Sequence, residues 1–329
     1  MRQPPLLPED VCEGGVFAIR NTLVQVKWAL REDISNALKT TFDPEREKVA
    51  LNVDRDAEHQ FRINLKEQWK KGLLRDIEVW GEESIGKAWD CTGREGVFAL
   101  ADMIDGTDLL ERNLSNWCSA AVFFRPRNEN GTKIIAACVG LPSGKIYYAH
   151  ANSSKVYYQS ENEQTCDVGG KSTIKKLSQA SICFYGQKAS RLKKVADLPL
   201  LDYLSRLTVD KDPKLKKNRL YTLAGIPMMV KLIDHQVADA ANIDVVFEAV
   251  GQHPHDVVAG AFIAQKAGAF VINLDTQNEL TNEEMEAGLL RPGDDMSQLR
   301  YIITSTRELC EEILPLCLPA TPALARFTH

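Results

Sequence analysis

The sequence lacks a Cys-x-x-Cys pair, an apolar stretch long enough to cross a bilayer, and an excess of positive charge. Its eight cysteines are scattered singly, which argues against a zinc site and predicts reduced thiols packed mostly in the core. The formal net charge of −5 argues against a nucleic-acid-binding protein whose affinity comes from a basic surface. Residues 1–13 contain no apolar run of signal-peptide length, so we expect a cytoplasmic protein without membrane contact.

What is present fits an ordinary globular chain. The 329 residues are 44% hydrophobic and 26% charged, enough for one large domain or two lobes around a sizeable core. A polar stretch with Gly169-Gly170 predicts a boundary between lobes near residues 160–180. The expected division is a tail over 1–13, an α+β lobe over 14–175, an α/β lobe over 176–314 and a tail over 315–329.

Hydrophobic spacing predicts the elements that surround the acidic residues. Helices are expected over residues 14–40, 54–71, 190–207, 228–241, 256–266 and 307–314, and a loop over 40–48. Strands are expected over residues 77–80, 97–101, 120–124, 133–139, 145–149, 156–159, 182–185, 270–273 and 301–304.

Acidic side chains follow two of these strands and open a later apolar segment. Asp102 and Asp105 come at the end of an apolar strand, before a Gly-Thr turn, and Glu82 follows a short strand and a glycine. Asp256 begins a segment that ends at Gly268. Hard cations such as Mg²⁺ take oxygen ligands, usually a few carboxylates with water and substrate phosphate. The pattern therefore predicts one shared metal site.

Each acidic motif alone has a simpler explanation. Glu82 could be solvated surface charge, Asp105 could belong to a common Asp-Gly turn, and Asp256 could cap a helix. Three such segments seldom occur together in one chain by chance, so their combination favours the metal site.

With these motifs, the chain from about residue 15 to 314 resembles the inositol monophosphatase superfamily of metal-dependent, lithium-sensitive phosphatases. That superfamily includes inositol monophosphatases, archaeal-type fructose-1,6-bisphosphatases and 3′-phosphoadenosine phosphatases. The resemblance implies an α+β fold, a layered αβαβα sandwich of the sugar-phosphatase type, with the metal site between two lobes. It also implies a homodimer.

The resemblance assigns roles to individual residues. Two or three Mg²⁺ ions would be held by Glu82, Asp102, Asp105 and Asp256 and by the backbone carbonyl of Ile104. The attacking water would be oriented by Glu82 and Thr107, with support from Asp54. The substrate phosphate would be met by Gly106, Thr107 and Asp108.

Three departures from the family pattern flank the predicted pocket. Met103 stands where the family usually has proline, residues 108–113 replace a common Asn-Phe, and His255 stands where the family has tryptophan. The metal ligands survive these changes, whereas the substrate contacts do not carry over. His255 is a candidate substrate contact, although a solvated loop histidine is the alternative. The basic residues 211–219 could attract a phosphorylated substrate or form a solvated face.

The sequence thus predicts a Mg²⁺-dependent phosphatase that hydrolyses a small phosphate monoester, inositol monophosphate or a sugar phosphate, by metal-activated water. Its partner would be a small phosphorylated metabolite rather than nucleic acid. A 3′-phosphoadenosine-type nucleotide phosphatase is the enzymatic alternative. A non-catalytic pseudo-phosphatase that binds a phosphorylated metabolite is the other.

Overall fold

A computed structural model describes most of the chain. The described residues are 6–43, 48–71, 77–84, 90–128, 131–160, 165–168, 172–186, 188–207, 219–223, 225–234, 243–293 and 297–319.

The elements alternate between helices and strands after an antiparallel middle section. The helices are α1 (Pro8–Glu32), α2 (Ile34–Ala37), α3 (Asn52–Lys70), α4 (Thr107–Leu110), α5 (Ala189–Ala196), α6 (Pro199–Arg206), α7 (Ile226–Ile233), α8 (Val258–Lys266), α9 (Asn282–Leu290) and α10 (Arg307–Ile313). The strands are β1 (Thr40–Asp43), β2 (Lys48–Leu51), β3 (Ile77–Gly81), β4 (Val97–Asp105), β5 (Cys118–Asn128), β6 (Gly131–Gly140), β7 (Ile146–His150), β8 (Tyr157–Gln159), β9 (Thr165–Asp167), β10 (Ser181–Phe184), β11 (Arg219–Tyr221), β12 (Val245–Gln252), β13 (Phe270–Asn273) and β14 (Leu299–Thr304).

The larger sheet has seven strands in the order β3-β4-β5-β6-β7-β8-β9. Strands β3 and β4 are parallel, and each later neighbour is antiparallel. Successive side chains point to opposite faces of a strand. Along β4, Phe98 and Leu100 therefore join one core, while Ala99 and Ala101 join another that includes residues of α1 and α3.

The smaller sheet has five strands in the order β11-β10-β12-β14-β13. Val246 of β12 faces a core shared with α7, α8 and the larger sheet. Val245 and Phe247 face a separate core with α5, α6 and α10. Both faces of this sheet are thus covered, which accounts for the fully buried run from Val245 to Phe247.

Stacking these cores gives five layers: α1 with α3, the larger sheet, α7 with α8, the smaller sheet, and α5 with α6 and α10. The predicted α+β fold, a layered αβαβα sandwich, is confirmed. The structure describes the side chains of seven of the eight cysteines. All seven are buried free thiols, as predicted. No helix among the described residues has the length and apolarity that a membrane span requires.

Some predicted element boundaries were wrong. Residues 40–48, predicted as a loop, contain β1 and the start of β2, which pair in antiparallel register from Thr40 opposite Leu51. The first helix begins at Pro8 and ends at Glu32, where Asp33 caps the short α2 by accepting the N–H of Asn36. Burial of Val11 in α1 explains why the helix reaches back into the segment expected to be a tail.

Two later helices also differ from expectation. The single helix expected over 190–207 is two helices, because Pro199 lacks an N–H and begins α6. The helix expected over 228–241 runs from Ile226 to Ile233, and residues 235–242 lie outside the described part. The division into lobes near residue 175 stays a prediction.

Candidate metal centre

Asp102 and Asp105 lie at the C-terminal end of β4, where the pairing with β5 changes register between them. The backbone N–H of Ile104 donates a hydrogen bond of 2.9 Å to Oδ1 of Asp102. Asp102 is 4% exposed. An irregularity of this kind re-aims side chains, which allows two aspartates three residues apart to serve one site.

Glu82 reaches the same edge of the larger sheet from the neighbouring strand. Strand β3 ends at Gly81, and the N–H of Glu82 donates to the carbonyl of Ala101 at 3.0 Å. Because β3 and β4 run parallel, their C-terminal ends lie side by side. The position of Glu82 next to β4 follows from that pairing.

Glu58, which the sequence reasoning missed, supports the turn that carries Glu82. Its buried carboxylate accepts the N–H of Glu83 at 3.1 Å and pairs with Arg62 at 2.7 Å. A Cβ at Gly81 would overlap this carboxylate. The available signal was the spacing of Asp54 and Glu58, four residues apart on the inner face of α3.

Asp256 comes to the site from the smaller sheet. It ends a 3₁₀ turn, Pro254–Asp256, between β12 and α8. The cap position of α8 is Val257, one residue after Asp256. One carboxylate oxygen each of Asp102, Asp105 and Asp256 lie within 4.8 Å of one another.

A second group of potential ligands shares Asp256. Ligand atoms of Glu82, His255 and Asp256 also lie within 4.8 Å of one another. The Nε2 of His255 is 3.4 Å from Oδ1 of Asp256, and the His255 side chain is 10% exposed. The four predicted carboxylates therefore meet, and a histidine meets them.

The electrostatics of these carboxylates favour a cation. Burial, followed by the charges of Glu82, Asp105 and Asp256, raises the pKa of Asp102 well above its ordinary value. Burial and the charge of Asp256 likewise raise the pKa of Asp105, against the opposing hydrogen bond from the N–H of Ile226. Carboxylates that repel one another in a desolvated place are relieved by a divalent ion, and oxygen ligands suit Mg²⁺. The residues present thus fit the implied metal.

Thr107 and Asp54 lie next to each other, as the resemblance implied. The Thr107 hydroxyl is 3.0 Å from the carbonyl of Ile104 and 3.4 Å from Oδ2 of Asp54. A hydroxyl has a single proton to donate, so the carbonyl and the carboxylate compete for it. When the proton points to Asp54, the Thr107 oxygen keeps its lone pairs free to accept a proton from elsewhere.

Gly106 makes the turn from β4 into α4 possible. Its φ is +101°, and a Cβ there would lie 2.8 Å from the carbonyl oxygen of Asn116. Glycine adopts this left-handed conformation without steric cost. The turn brings the backbone of Gly106 and Thr107 to the cleft that contains the carboxylates.

This cleft has a volume of about 290 Å³ and is lined from both sheets. The wall from the larger sheet and α4 contains Glu82, Asp102, Ile104, Asp105, Gly106, Thr107, Asp108, Leu109 and Asn116. The opposite wall contains Tyr185, Lys188, Arg191, Pro227, Gln252, His253 and Asp256.

The wall that contains Asp256 is also the wall of Arg191, which pairs with a buried carboxylate. Arg191 lies 2.9 Å from Glu248, whose side chain is 1% exposed, and its guanidinium also stacks 4.8 Å from the centre of the Tyr185 ring. Burial raises the pKa of Glu248, and the charge of Arg191 opposes that rise. Burial and the charge of Asp108 raise the pKa of Tyr185 to about 12, so its hydroxyl stays protonated near neutral pH.

The remaining predicted residues fall in different places. Asp108 is exposed at the cleft, and His253 lines it. Of the basic run, only Arg219 lies in the described part of the chain, where it is exposed in β11, and residues 211–217 lie outside it.

No family model and no curated protein sequence matches the chain. Solved structures do match it over nearly its full length. An inositol monophosphatase (IMPase) of Thermotoga maritima has a TM-score of 0.61 and 14% identity, covering 94% of this chain and 96% of that one. An IMPase/NADP phosphatase complexed with NADP and Ca²⁺ has a TM-score of 0.61 and 17% identity, covering 98% of both chains.

A third match is an IMPase/NADP phosphatase complexed with Mg²⁺ and phosphate. It has a TM-score of 0.57 and 18% identity, covering 92% of this chain and 94% of that one. Structural similarity at such low sequence identity shows the fold alone. The resemblance inferred from the acidic motifs is confirmed at that level: the chain has the fold of the inositol monophosphatases.

Proposed function

We propose that this chain is a Mg²⁺-dependent phosphatase acting on a small phosphate monoester. The observation that carries the proposal is the meeting of Asp102, Asp105 and Asp256 within 4.8 Å, although they come from two different sheets. Glu82 joins the same place through Asp256. The neighbours named as complexes with Ca²⁺ and with Mg²⁺ and phosphate support a metal and a phosphate ligand.

The metal would be held by Glu82, Asp102, Asp105 and Asp256 and by the carbonyl of Ile104. When bound, Mg²⁺ supplies Lewis acidity, which makes a nearby water more acidic and offsets charge on the phosphoryl oxygens. Two or three ions are proposed, because the carboxylates fall into two overlapping groups that share Asp256.

The proposed proton path runs through this chain's own side chains. The Thr107 hydroxyl, together with Glu82, would accept a proton from the attacking water. Thr107 would pass its own proton to Asp54, which lies 3.4 Å away. The water oxygen would then bond to phosphorus as the bond between phosphorus and the ester oxygen breaks, and the departing oxygen would take a proton from solvent to give the alcohol and inorganic phosphate. The backbone N–H groups of Gly106 and Thr107 would orient the phosphate.

The cleft volume of about 290 Å³ supports a small substrate. Inositol monophosphate or a sugar phosphate is the proposed class, contacted by Asp108 at the mouth of the cleft. The neighbour complexed with NADP supports the alternative of a nucleotide phosphate, as in the 3′-phosphoadenosine phosphatases. A homodimer and inhibition by Li⁺ remain proposals that rest on the resemblance.

The test is phosphate release by the purified chain from inositol monophosphate, a sugar phosphate and a 3′-phosphoadenosine nucleotide, with Mg²⁺ or with EDTA. We expect Mg²⁺-dependent turnover that Asp105→Asn abolishes and Li⁺ inhibits. The matched control is Asp197→Asn, which removes an exposed carboxylate directly after α5 that pairs only with Lys193 among the contacts described. Metal binding without turnover of any substrate would instead favour a pseudo-phosphatase.

A further inference from the structure

His255 brings a nitrogen donor to a site that otherwise offers oxygen. Its ligand atom lies within 4.8 Å of those of Glu82 and Asp256, and its Nε2 is 3.4 Å from Oδ1 of Asp256. Ligands of one divalent ion, each roughly 2.0–2.3 Å away, are separated by up to about 4.5 Å. The three side chains are therefore already close to the size of a single coordination sphere.

The imidazole is buried without the hydrogen bonds that normally accompany burial. The side chain is 10% exposed, and Nδ1 has no hydrogen-bond partner among the described residues. A neutral imidazole carries a proton on one ring nitrogen only, so a proton on Nδ1 leaves Nε2, the nitrogen 3.4 Å from Asp256, free to bind an ion. The ring stacks on His253 at 5.5 Å with an angle of 7° between planes, which fixes its orientation.

The donor atoms distinguish the group that contains His255 from the group formed by Asp102, Asp105 and Asp256. Asp102, Asp105 and Asp256 offer oxygen alone, which suits Mg²⁺, Ca²⁺ and Mn²⁺. Imidazole nitrogen is a softer donor that favours first-row transition ions over Mg²⁺. Glu82, His255 and Asp256 form a mixed set of the kind that binds such ions.

We propose that His255 is a metal ligand and that the ion it shares with Glu82 and Asp256 is a first-row transition ion in preference to Mg²⁺, with Mn²⁺ as the paramagnetic probe of the position. This proposal rests on the proposed function for the existence of a metal centre. It replaces the expectation that His255 contacts the substrate, and it makes the chain a phosphatase with two unlike metal positions.

The test is pulsed electron paramagnetic resonance of Mn²⁺ added to the metal-free full chain, which detects coupling of the electron spin to ¹⁴N. We expect a directly bound ¹⁴N in the wild type and its loss in His255→Gln. The matched control is His253→Gln, which removes the stacked neighbour and is expected to retain the coupling. Mn²⁺ affinity, from a calorimetric titration in competition with Mg²⁺, should fall at least about tenfold in His255→Gln.

If the His255→Gln variant does not fold, the wild type and His253→Gln decide the proposal together, because a coupling that survives His253→Gln excludes His253 as its source. A bound Mn²⁺ without ¹⁴N coupling overturns it, as does a coupling that survives His255→Gln and disappears in His253→Gln. Either result leaves the phosphatase proposal intact, because Mg²⁺-dependent turnover is measured separately. Failure of the wild type to bind Mn²⁺ or Mg²⁺ would overturn both proposals.

Discussion

The backbone N–H of Ile226 donates a hydrogen bond of 2.8 Å to Oδ2 of Asp105. The first residue of α7 thereby holds a carboxylate that belongs to the end of β4. The preceding Gly225 has a φ of +112°, and a Cβ there would lie 3.0 Å from that same carboxylate oxygen. The position of Asp105 therefore depends on a glycine far away in the sequence.

We expect Gly225→Ala to weaken Mg²⁺ binding by displacing the Asp105 carboxylate. The variant also acquires backbone strain of about 1–2 kcal/mol, because non-glycine residues disfavour positive φ. Isothermal titration calorimetry measures the binding, and denaturant unfolding measures the strain.

Gly268→Ala separates the displacement of the Asp105 carboxylate from the backbone strain. Gly268 has a φ of +87°, but a Cβ there meets no atom within 4 Å. This variant should lose stability and keep the wild-type affinity for Mg²⁺. Equal losses of affinity in both variants would show that Asp105 is not held as described.

The metal-free protein should lose stability as the pH rises. The pKa of Asp102 is raised in the folded chain, by burial first and by neighbouring carboxylates second. A carboxyl with a raised folded pKa binds its proton more tightly when folded. Its contribution is complete below the unfolded pKa of 3.8 and is lost as pH rises through the folded value.

Asp102→Asn tests this dependence, since the amide oxygen can still accept the N–H of Ile104. In EDTA, the free energy of unfolding of the wild type should fall relative to that of the variant as pH rises from 4 towards neutrality. Mg²⁺ at about 100 times its Kd should restore about 2.7 kcal/mol to the wild type and less to the variant. A constant difference between the two across this pH range would contradict the expectation.

Thr107→Val removes the hydroxyl that lies between Ile104 and Asp54 and keeps the shape of the side chain. We expect kcat to fall on the order of 10²-fold, the lower range for the loss of a positioned proton acceptor. Metal affinity should change little, because the carboxylates remain. Thr107→Ser keeps the hydroxyl and should therefore restore kcat. Steady-state kinetics with Mg²⁺ measures both variants. A Thr107→Val enzyme with wild-type kcat would remove Thr107 from the proton path.

Gly81→Ala should destabilise the fold, because a Cβ at this position overlaps the Glu58 carboxylate. The expected loss is about 1–3 kcal/mol, in the range for overpacked sites. The double variant with Glu58→Ala makes room for the new methyl group. A double-mutant cycle by thermal or denaturant unfolding should therefore show a coupling of about 0.5–3 kcal/mol. Additive effects would mean that the two side chains do not interact.

The carboxylates that meet at the candidate metal centre were predictable from sequence because their signals are local. Asp102 and Asp105 follow an apolar strand, and a glycine precedes Glu82. Such patterns report which edge of a sheet a side chain reaches. The five-layered fold came from the family resemblance, since periodicity alone does not say which faces pack together.

Other features depend on contacts between distant segments. Glu58 supports the turn after β3, and Ile226 holds Asp105, through hydrogen bonds between residues 25 and 121 positions apart. The spacing of Asp54 and Glu58 places Glu58 on the inner face of α3 but does not say which distant turn it supports, and nothing around Ile226 in the sequence points to Asp105. The strands in the segment predicted as a loop were missed for a different reason: β1 and β2 form a separate two-stranded sheet of four residues each, too short to show clear hydrophobic alternation.

The ligands at the centre are separated by more than half the length of the chain, from Glu82 to Asp256. A bound ion therefore acts as a reversible cross-link that closes a very long loop. An ion held jointly by Asp102, Asp105 and Asp256 draws ligands from both sheets, so that mode of binding requires that both have folded and met. Dissociation of the ion should accordingly accompany the separation of the two sheets, and hydrogen exchange at their inner strands should slow when the ion is bound.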